Sequence, residues 1–278
     1  MNATSRWKNI LKTTRMPNTS TGMSKHILSL HAHPDDAEIL AGGTLALLAR
    51  AGHKVTVASM TAGDCGSAEH WPDEIASIRY GEAANAAAMI GAEYVCLRFR
   101  DMAIFNDDPS RRRVTAALRR LRPDIIVTAS PVDYHCDHEA TSVLVRDSCF
   151  AAPARNYSTE VFDAAAPLPA IPHLYYMDSD AGVDRDGRAV VPDFVVDISE
   201  TFAAKREMLA RHESQRAWLK KHHGMEDYLE TMEVWTRGRA RLAGLTYAEG
   251  FRRYKGHPFP ESALLEELLG PAYVHRLA

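Results

Sequence analysis

From Lys25 onward this chain alternates short apolar runs with longer amphipathic stretches, and that rhythm leaves few folds open to it. HILSLHA (26–32), KVTVASM (54–60), EYVCLRF (93–99) and DIIVTAS (124–130) read as strands. Between them GGTLALLARAG (42–52), DEIASIRYGEAANAAAMIG (73–91) and PSRRRVTAALRRLR (109–122) read as helices, closed by Gly52, Gly91 and Pro123. Strands separated by helical periods predict βαβ units, because parallel neighbours need a long crossover. The expected fold class is α/β, a Rossmann-like, mostly parallel sheet flanked by helices.

The second half is less regular. A Pro-rich loop occupies 150–172, and strands at 173–178 and 193–199 flank the turn-like AGVDRDGR, which predicts an antiparallel addition. Helices are expected at 200–222, 226–243 and 261–269. Residues 23–278 therefore read as a single domain with a C-terminal loop, strand and helix elaboration. Residues 1–22 read as a disordered N-terminal extension.

Composition narrows the function. With 278 residues, 46% of them apolar and 25% charged, the chain can bury a sizeable core. Its 33 Lys+Arg against 36 Asp+Glu give a net charge of −3, without the basic surplus that phosphate neutralisation needs. No nucleic-acid partner is expected, and no apolar run approaches the roughly 18 residues of a membrane span. Cys65, Cys96, Cys136 and Cys149 form no CxxC pair, so neither a disulfide scaffold nor a thiolate zinc site is expected. The N-terminus lacks a signal-peptide apolar stretch, which makes a cytoplasmic, reducing setting the default. A homo-oligomer is compatible with this composition.

Two clusters carry the chemistry. The first strand runs into His31-Ala32-His33-Pro34-Asp35-Asp36-Ala37-Glu38, and the fourth into Pro131-Val132-Asp133-Tyr134-His135-Cys136-Asp137-His138. In open α/β sheets the ligand crevice lies beyond the carboxyl ends of the strands, so both loops converge on one rim. Nitrogen and oxygen donors without thiolates suit a divalent metal such as zinc, held by three protein ligands with an open position for water. If Asp36 binds the metal, Asp35 is placed as general base and His138 completes the set. His135 can meet developing negative charge or protonate a leaving group, with Asp137 fixing an imidazole's tautomer. Asp-rich turns after strands also arise simply because Asp caps helices; the pairing of two clusters outweighs that explanation. The residues support metal-assisted hydrolysis of a carbonyl or a phosphoryl centre.

HAHPDDAEILAGGTLA, a following strand, TAGDCGS and the later HCDH together resemble the PIG-L or LmbE-like zinc-dependent N-deacetylases over roughly residues 25–220. The resemblance implies one Zn2+ per chain on His33, Asp36 and His138, Asp35 as general base, and His135 and Asp137 assisting. It also implies a small-molecule glycoside substrate whose N-acetylglucosaminyl group loses acetate, with Arg79 and Asp101 contacting the sugar. HLYYMDSDAG is similar to members acting on glycopeptide antibiotics. Some members carry a tyrosine where this chain has Asp133, with Tyr134 as a neighbouring substitute. The rival expectations are a metal-dependent phosphoesterase and a non-catalytic α/β binding module; against the second, HPDD stands where a GxGxxG turn would be.

Several other features read as structural. Gly42, Gly43 and Thr44 are expected to pack and cap the first long helix. Arg111, Arg112, Arg113, Arg119, Arg120 and Arg122 read as a solvated helix face. Met208, His212, Gln215 and Leu219 share helical spacing and read as a core face.

Overall fold

The computed structural model describes residues 23–223 and 227–277. The expected extension at 1–22 lies outside the described residues, as does the first residue of the helix predicted over 226–243. An eight-stranded sheet is built from β1 His26–His31, β2 Lys54–Thr61, β3 Glu93–Phe99, β4 Ile125–Thr128, β5 His173–Met177, β6 Phe194–Asp197, β7 Ala248–Arg253 and β8 Val274–Arg276. Its order is β3-β2-β1-β4-β5-β7-β6-β8. Strands β3 to β5 in that order are parallel, and β7 and β8 are antiparallel to their neighbours. The α/β class expected from the alternation is the one observed.

Helices α1 Asp36–Leu40, α2 Gly42–Arg50, α3 Pro72–Ala88, α4 Asp108–Leu121 and α5 Cys136–Ala151 connect the parallel strands, and α6 Phe202–Ala210, α7 Glu213–His223, α8 Tyr228–Ala240 and α9 Leu264–Leu269 follow. Strand residues feed the two faces alternately. Ile27, Val55, Val57, Ile125 and Val127 pack with Leu45 and Leu48 of α2, Leu209 of α6 and Met232 of α8. Leu28, Leu30, Ala58, Met60 and Ile126 pack on the other face with Val114 and Leu118 of α4 and Leu144 and Val145 of α5. A sheet covered on both faces explains why its central strands read as nearly continuous apolar runs.

Chain order reverses beside β1, which pairs with β2 on one side and β4 on the other. The crevice of a doubly wound sheet opens at such a switch point. Both His/Asp clusters follow these two strands, so topology alone brings them together.

The C-terminal elaboration differs from expectation. Strands β5 and β6 are not partners, because β7 lies between them. Its sequence, AEGFRR, offers no apolar alternation, yet its first four residues are buried. The helix expected over 200–222 is two helices. Their junction turns the amide and hydroxyl of Ser214 onto the carboxylate of Glu82, at 2.8 and 2.6 Å. Arg119 is also not solvated: it is buried, and its guanidinium bonds the Ala152 and Ala154 carbonyls at 3.0 and 2.7 Å. It thereby ties the start of the 150–172 loop against α4.

Glu249 of β7 explains the glycine pair that opens α2. Its carboxylate accepts the amides of Gly43 and Thr44 at 2.9 and 2.8 Å, where the helix N-terminus favours an anion. A methyl on Gly43 would stand 2.6 Å from Ile198, so the segment packs too closely for any larger residue. Lys205 neutralises Glu249 at 2.6 Å, with both side chains 1% exposed. Lys205→Met is expected to cost about 3–5 kcal/mol, because it strands a buried carboxylate. Denaturant unfolding tests this, with Lys205→Met/Glu249→Gln recovering much of the loss. Among the described residues no helix is long and apolar enough to cross a membrane.

Candidate metal centre

At the end of β1 the chain turns through Pro34 into α1, and Asp35 is the residue before that helix. Asp35 has φ 101° and ψ −27°, a left-handed conformation that a non-glycine residue adopts at a cost. The turn is held from several sides. The His33 amide donates to Asp36 Oδ2 at 2.9 Å, and Arg79 Nη2 donates to the Pro34 carbonyl at 2.8 Å. Arg79 Nη2 also lies 3.5 Å from Asp35 Oδ1, and the Tyr228 hydroxyl donates to Asp35 Oδ2 at 2.8 Å.

The β4 loop supplies the opposite wall. His135 is the N-cap of α5, its Nδ1 accepting the Asp137 amide at 3.1 Å. His138, one turn in, is buried between two carboxylates: Nε2 lies 3.5 Å from Asp36 Oδ1, and Nδ1 lies 3.1 Å from Asp133 Oδ1. Asp137 Oδ2 stands 3.1 Å from His33 Nε2 and accepts the Met102 amide at 2.8 Å. The imidazole that Asp137 orients is therefore His33. Ring nitrogens of His33, His135 and His138 come within 4.8 Å of one another, as do side-chain atoms of Asp133, His138 and Asp180. Asp36 bridges His33 and His138 from below, its Oδ2 3.8 Å from His33 Nδ1.

The electrostatics separate two adjacent carboxylates. Burial opposes ionisation of Asp36, but the charges of His138 and His33 outweigh it and bring the group down to about 2. Burial pushes Asp35 the other way, up from the usual range, despite Arg79 and His212 nearby. Burial would lower His138, yet Asp36, Asp133 and Asp180 hold it up at about 10. Asp180 is itself raised to about 7, by burial and then by the crowding of Asp133, Asp36 and Asp35. Carboxylates and imidazoles thus converge in groups that could hold a metal ion. The donor set of nitrogen and carboxylate oxygen fits a divalent metal such as zinc.

His135 is held below its usual range, first by burial and then by His33 and His138. Its Nδ1 accepts the Asp137 amide, which leaves Nε2 as the uncommitted nitrogen.

The two expected sugar contacts separate. Arg79 is 3% exposed and packs beneath Gly63 and Gly66, where a Cβ on either glycine would collide with its guanidinium. Its guanidinium grips the Pro34–Asp35 turn. Asp101 sits at the rim with Oδ2 accepting the Cys65 amide at 2.8 Å, while its Oδ1 has no partner among the described residues. Asp64 supports it from the loop after β2, accepting the Asp101 amide at 2.8 Å. Tyr134 is 64% exposed, with its ring edge toward His135 and His138.

Sequence reasoning did not find Asp180, Tyr228 or the role of Asp133. Asp180 follows β5 on the same rim, and a third strand end there was its only available signal. Tyr228 carried no motif.

Residues 28–149 match the family model described as PIG-L, GlcNAc-PI de-N-acetylase. A diacetylchitobiose deacetylase from Thermococcus kodakarensis is 26% identical over 84% of this chain and 84% of its own length. A 1D-myo-inositol 2-acetamido-2-deoxy-alpha-D-glucopyranoside deacetylase from Rhodococcus opacus is 26% identical over 69% of this chain and 82% of its own. Among solved structures, the N,N'-diacetylchitobiose deacetylase from Pyrococcus horikoshii superposes with a TM-score of 0.72 at 23% identity, covering 95% of this chain and 98% of that one. The likeness read from the HPDD and HCDH clusters is the one these comparisons find.

Proposed function

On the premise of that PIG-L match, we propose that this chain is a zinc-dependent N-deacetylase. It removes the acetyl group from an N-acetylglucosaminyl moiety of a small-molecule glycoside, releasing acetate and a free amine. Hydrolytic cleavage of an amide is the chemistry of the deacetylases it matches. The observation that carries the assignment within the site is geometric: Asp36 lies 3.8 Å from His33 and 3.5 Å from His138, while the adjacent Asp35 is turned away from both onto Tyr228 and Arg79. Two neighbouring carboxylates held by different partners can take different roles, one as ligand and one as base.

His33, Asp36 and His138 would hold the ion. When bound, it supplies Lewis acidity toward the amide carbonyl and lowers the pKa of water to about 7. Asp35 takes the proton of the attacking water as the carbonyl carbon becomes tetrahedral. His135 donates a hydrogen bond from Nε2 to the oxygen that gains charge. The proton on Asp35 then passes to the departing nitrogen, which leaves as the amine. Asp101 stands near the rim as the expected sugar contact, and Arg79 keeps the Asp35 turn in place. HLYYMDSDAG, which had suggested a glycopeptide substrate, forms β5 and carries Asp180 to the centre. Its likeness therefore bears on the centre and leaves the aglycone to experiment. All four cysteines are free, which supports a reducing, cytoplasmic setting.

The test is metal content paired with amine release from diacetylchitobiose, an N-acetylglucosaminyl inositol, a thiol conjugate and a glycopeptide pseudoaglycone. Zinc near one per chain with amine release from at least one compound is expected, together with no phosphate release from phosphomonoesters. Phosphate release without acetate would replace this assignment by the phosphoesterase.

A further inference from the structure

Tyr228 is the first residue of α8, far along the chain from either His/Asp cluster and beyond the PIG-L segment. Its hydroxyl donates to Asp35 Oδ2 at 2.8 Å, and both residues are buried, at 7% and 4% exposure. α8 is fixed where it begins: Asp227 caps it by accepting the Leu229 and Glu230 amides, and Leu229 and Met232 sit in the core. The hydroxyl therefore comes from an anchored element.

Asp35 needs such an anchor. Its backbone is left-handed and its side chain makes no capping bond to α1, so the turn alone does not orient the carboxylate. Tyr228 engages Oδ2, whereas Oδ1 accepts no hydrogen bond among the described residues and meets only Arg79, at 3.5 Å. One carboxylate oxygen is thus fixed and the other left for a water proton.

We propose that Tyr228 is the positioning residue of the general base, so that α8, outside the motif-bearing half, completes the active site. This rests on the assignment of Asp35 as base. The phenol does not exchange a proton in the cycle; it holds Oδ2 so that Oδ1 faces the reacting centre. Loss of such an orienting bond is expected to cost about 10- to 100-fold in rate.

Tyr228→Phe keeps the ring and removes only the bond. Its expected outcome is a fall in kcat of about 10- to 100-fold, with KM and zinc content unchanged. In an Asp35→Asn background the same substitution is expected to cost nothing further, since it acts through Asp35. In the unsubstituted protein, NMR is expected to show a slowly exchanging, downfield tyrosine hydroxyl proton that shifts in Asp35→Asn. That measurement stands even where Tyr228→Phe folds poorly or no substrate is turned over. Undiminished kcat, a loss confined to KM, equal losses in both backgrounds or no such resonance would each overturn the proposal. An unsubstituted protein that holds zinc yet releases no amine, with the resonance present, would instead overturn the deacetylase assignment and leave Tyr228 as an anchor of the turn.

Discussion

Asp35→Asn is expected to lower kcat by about 10²- to 10⁴-fold while leaving zinc content and KM close to those of the unsubstituted enzyme. The amide is isosteric with the carboxylate and can still accept the Tyr228 hydrogen bond, so geometry is kept and basicity is lost. Asparagine also tolerates the left-handed conformation at φ 101°, whereas alanine would strain the turn that carries Asp36. Asp35→Ala would therefore mix two effects that Asp35→Asn separates. The loss should lie in kcat because Asp35 meets the water proton only as the bond forms. Acetate release under single-turnover conditions, beside metal analysis of the same preparation, makes the measurement. Full turnover in Asp35→Asn would move the base elsewhere. Loss of zinc in it would make Asp35 a ligand.

The parts of this site that were legible in the sequence are those on consecutive residues at strand ends. HPDD and HCDH could be read because β1 and β4 are buried on both faces, and their apolar runs stop where the site begins. The reversal of strand order at β1 then does the rest, and no side-chain detail is needed to predict that the clusters meet. What stayed hidden depends on contacts between distant segments. Strand β7 is polar in sequence because Glu249 is buried as an ion pair with Lys205, a compensation that neither segment shows alone. Arg79 and Arg119 read as surface or substrate residues because guanidinium groups are usually exposed. In the fold each is buried against backbone carbonyls, at Pro34 and at Ala152 and Ala154.

Asp133 and Asp180 were obscured differently. Both gather at His138: Asp133 lies 3.1 Å from Nδ1, and Asp180, with a side-chain oxygen within 4.8 Å of both, donates its amide to Asp133 Oδ2 at 3.4 Å. A carboxylate on Nδ1 fixes the tautomer that leaves Nε2 for a metal. Position 133 is thus occupied by a group that orients His138, and Tyr134 remains on the rim.

His138→Ala is expected to abolish stoichiometric zinc and with it nearly all turnover, whereas His135→Ala should keep zinc and lose turnover alone. The contrast follows from where each imidazole is held. His138 Nε2 faces Asp36, its Nδ1 is taken by Asp133, and the ring is buried, so no neighbour can replace it. His135 caps α5 through the nitrogen that accepts the Asp137 amide and is only partly buried. Its nitrogen does come within 4.8 Å of those of His33 and His138, which makes three imidazoles the rival ligand set. Thermal unfolding with added zinc decides between the sets, because a ligand that binds only the folded state stabilises it by RT ln(1 + [L]/Kd). Zinc should raise the midpoint of the unsubstituted protein and of His135→Ala, and leave those of His138→Ala and Asp36→Ala unmoved. If His135→Ala fails to respond while Asp36→Ala still does, the three imidazoles hold the ion. Asp36 would then be the carboxylate that orients His33 and His138.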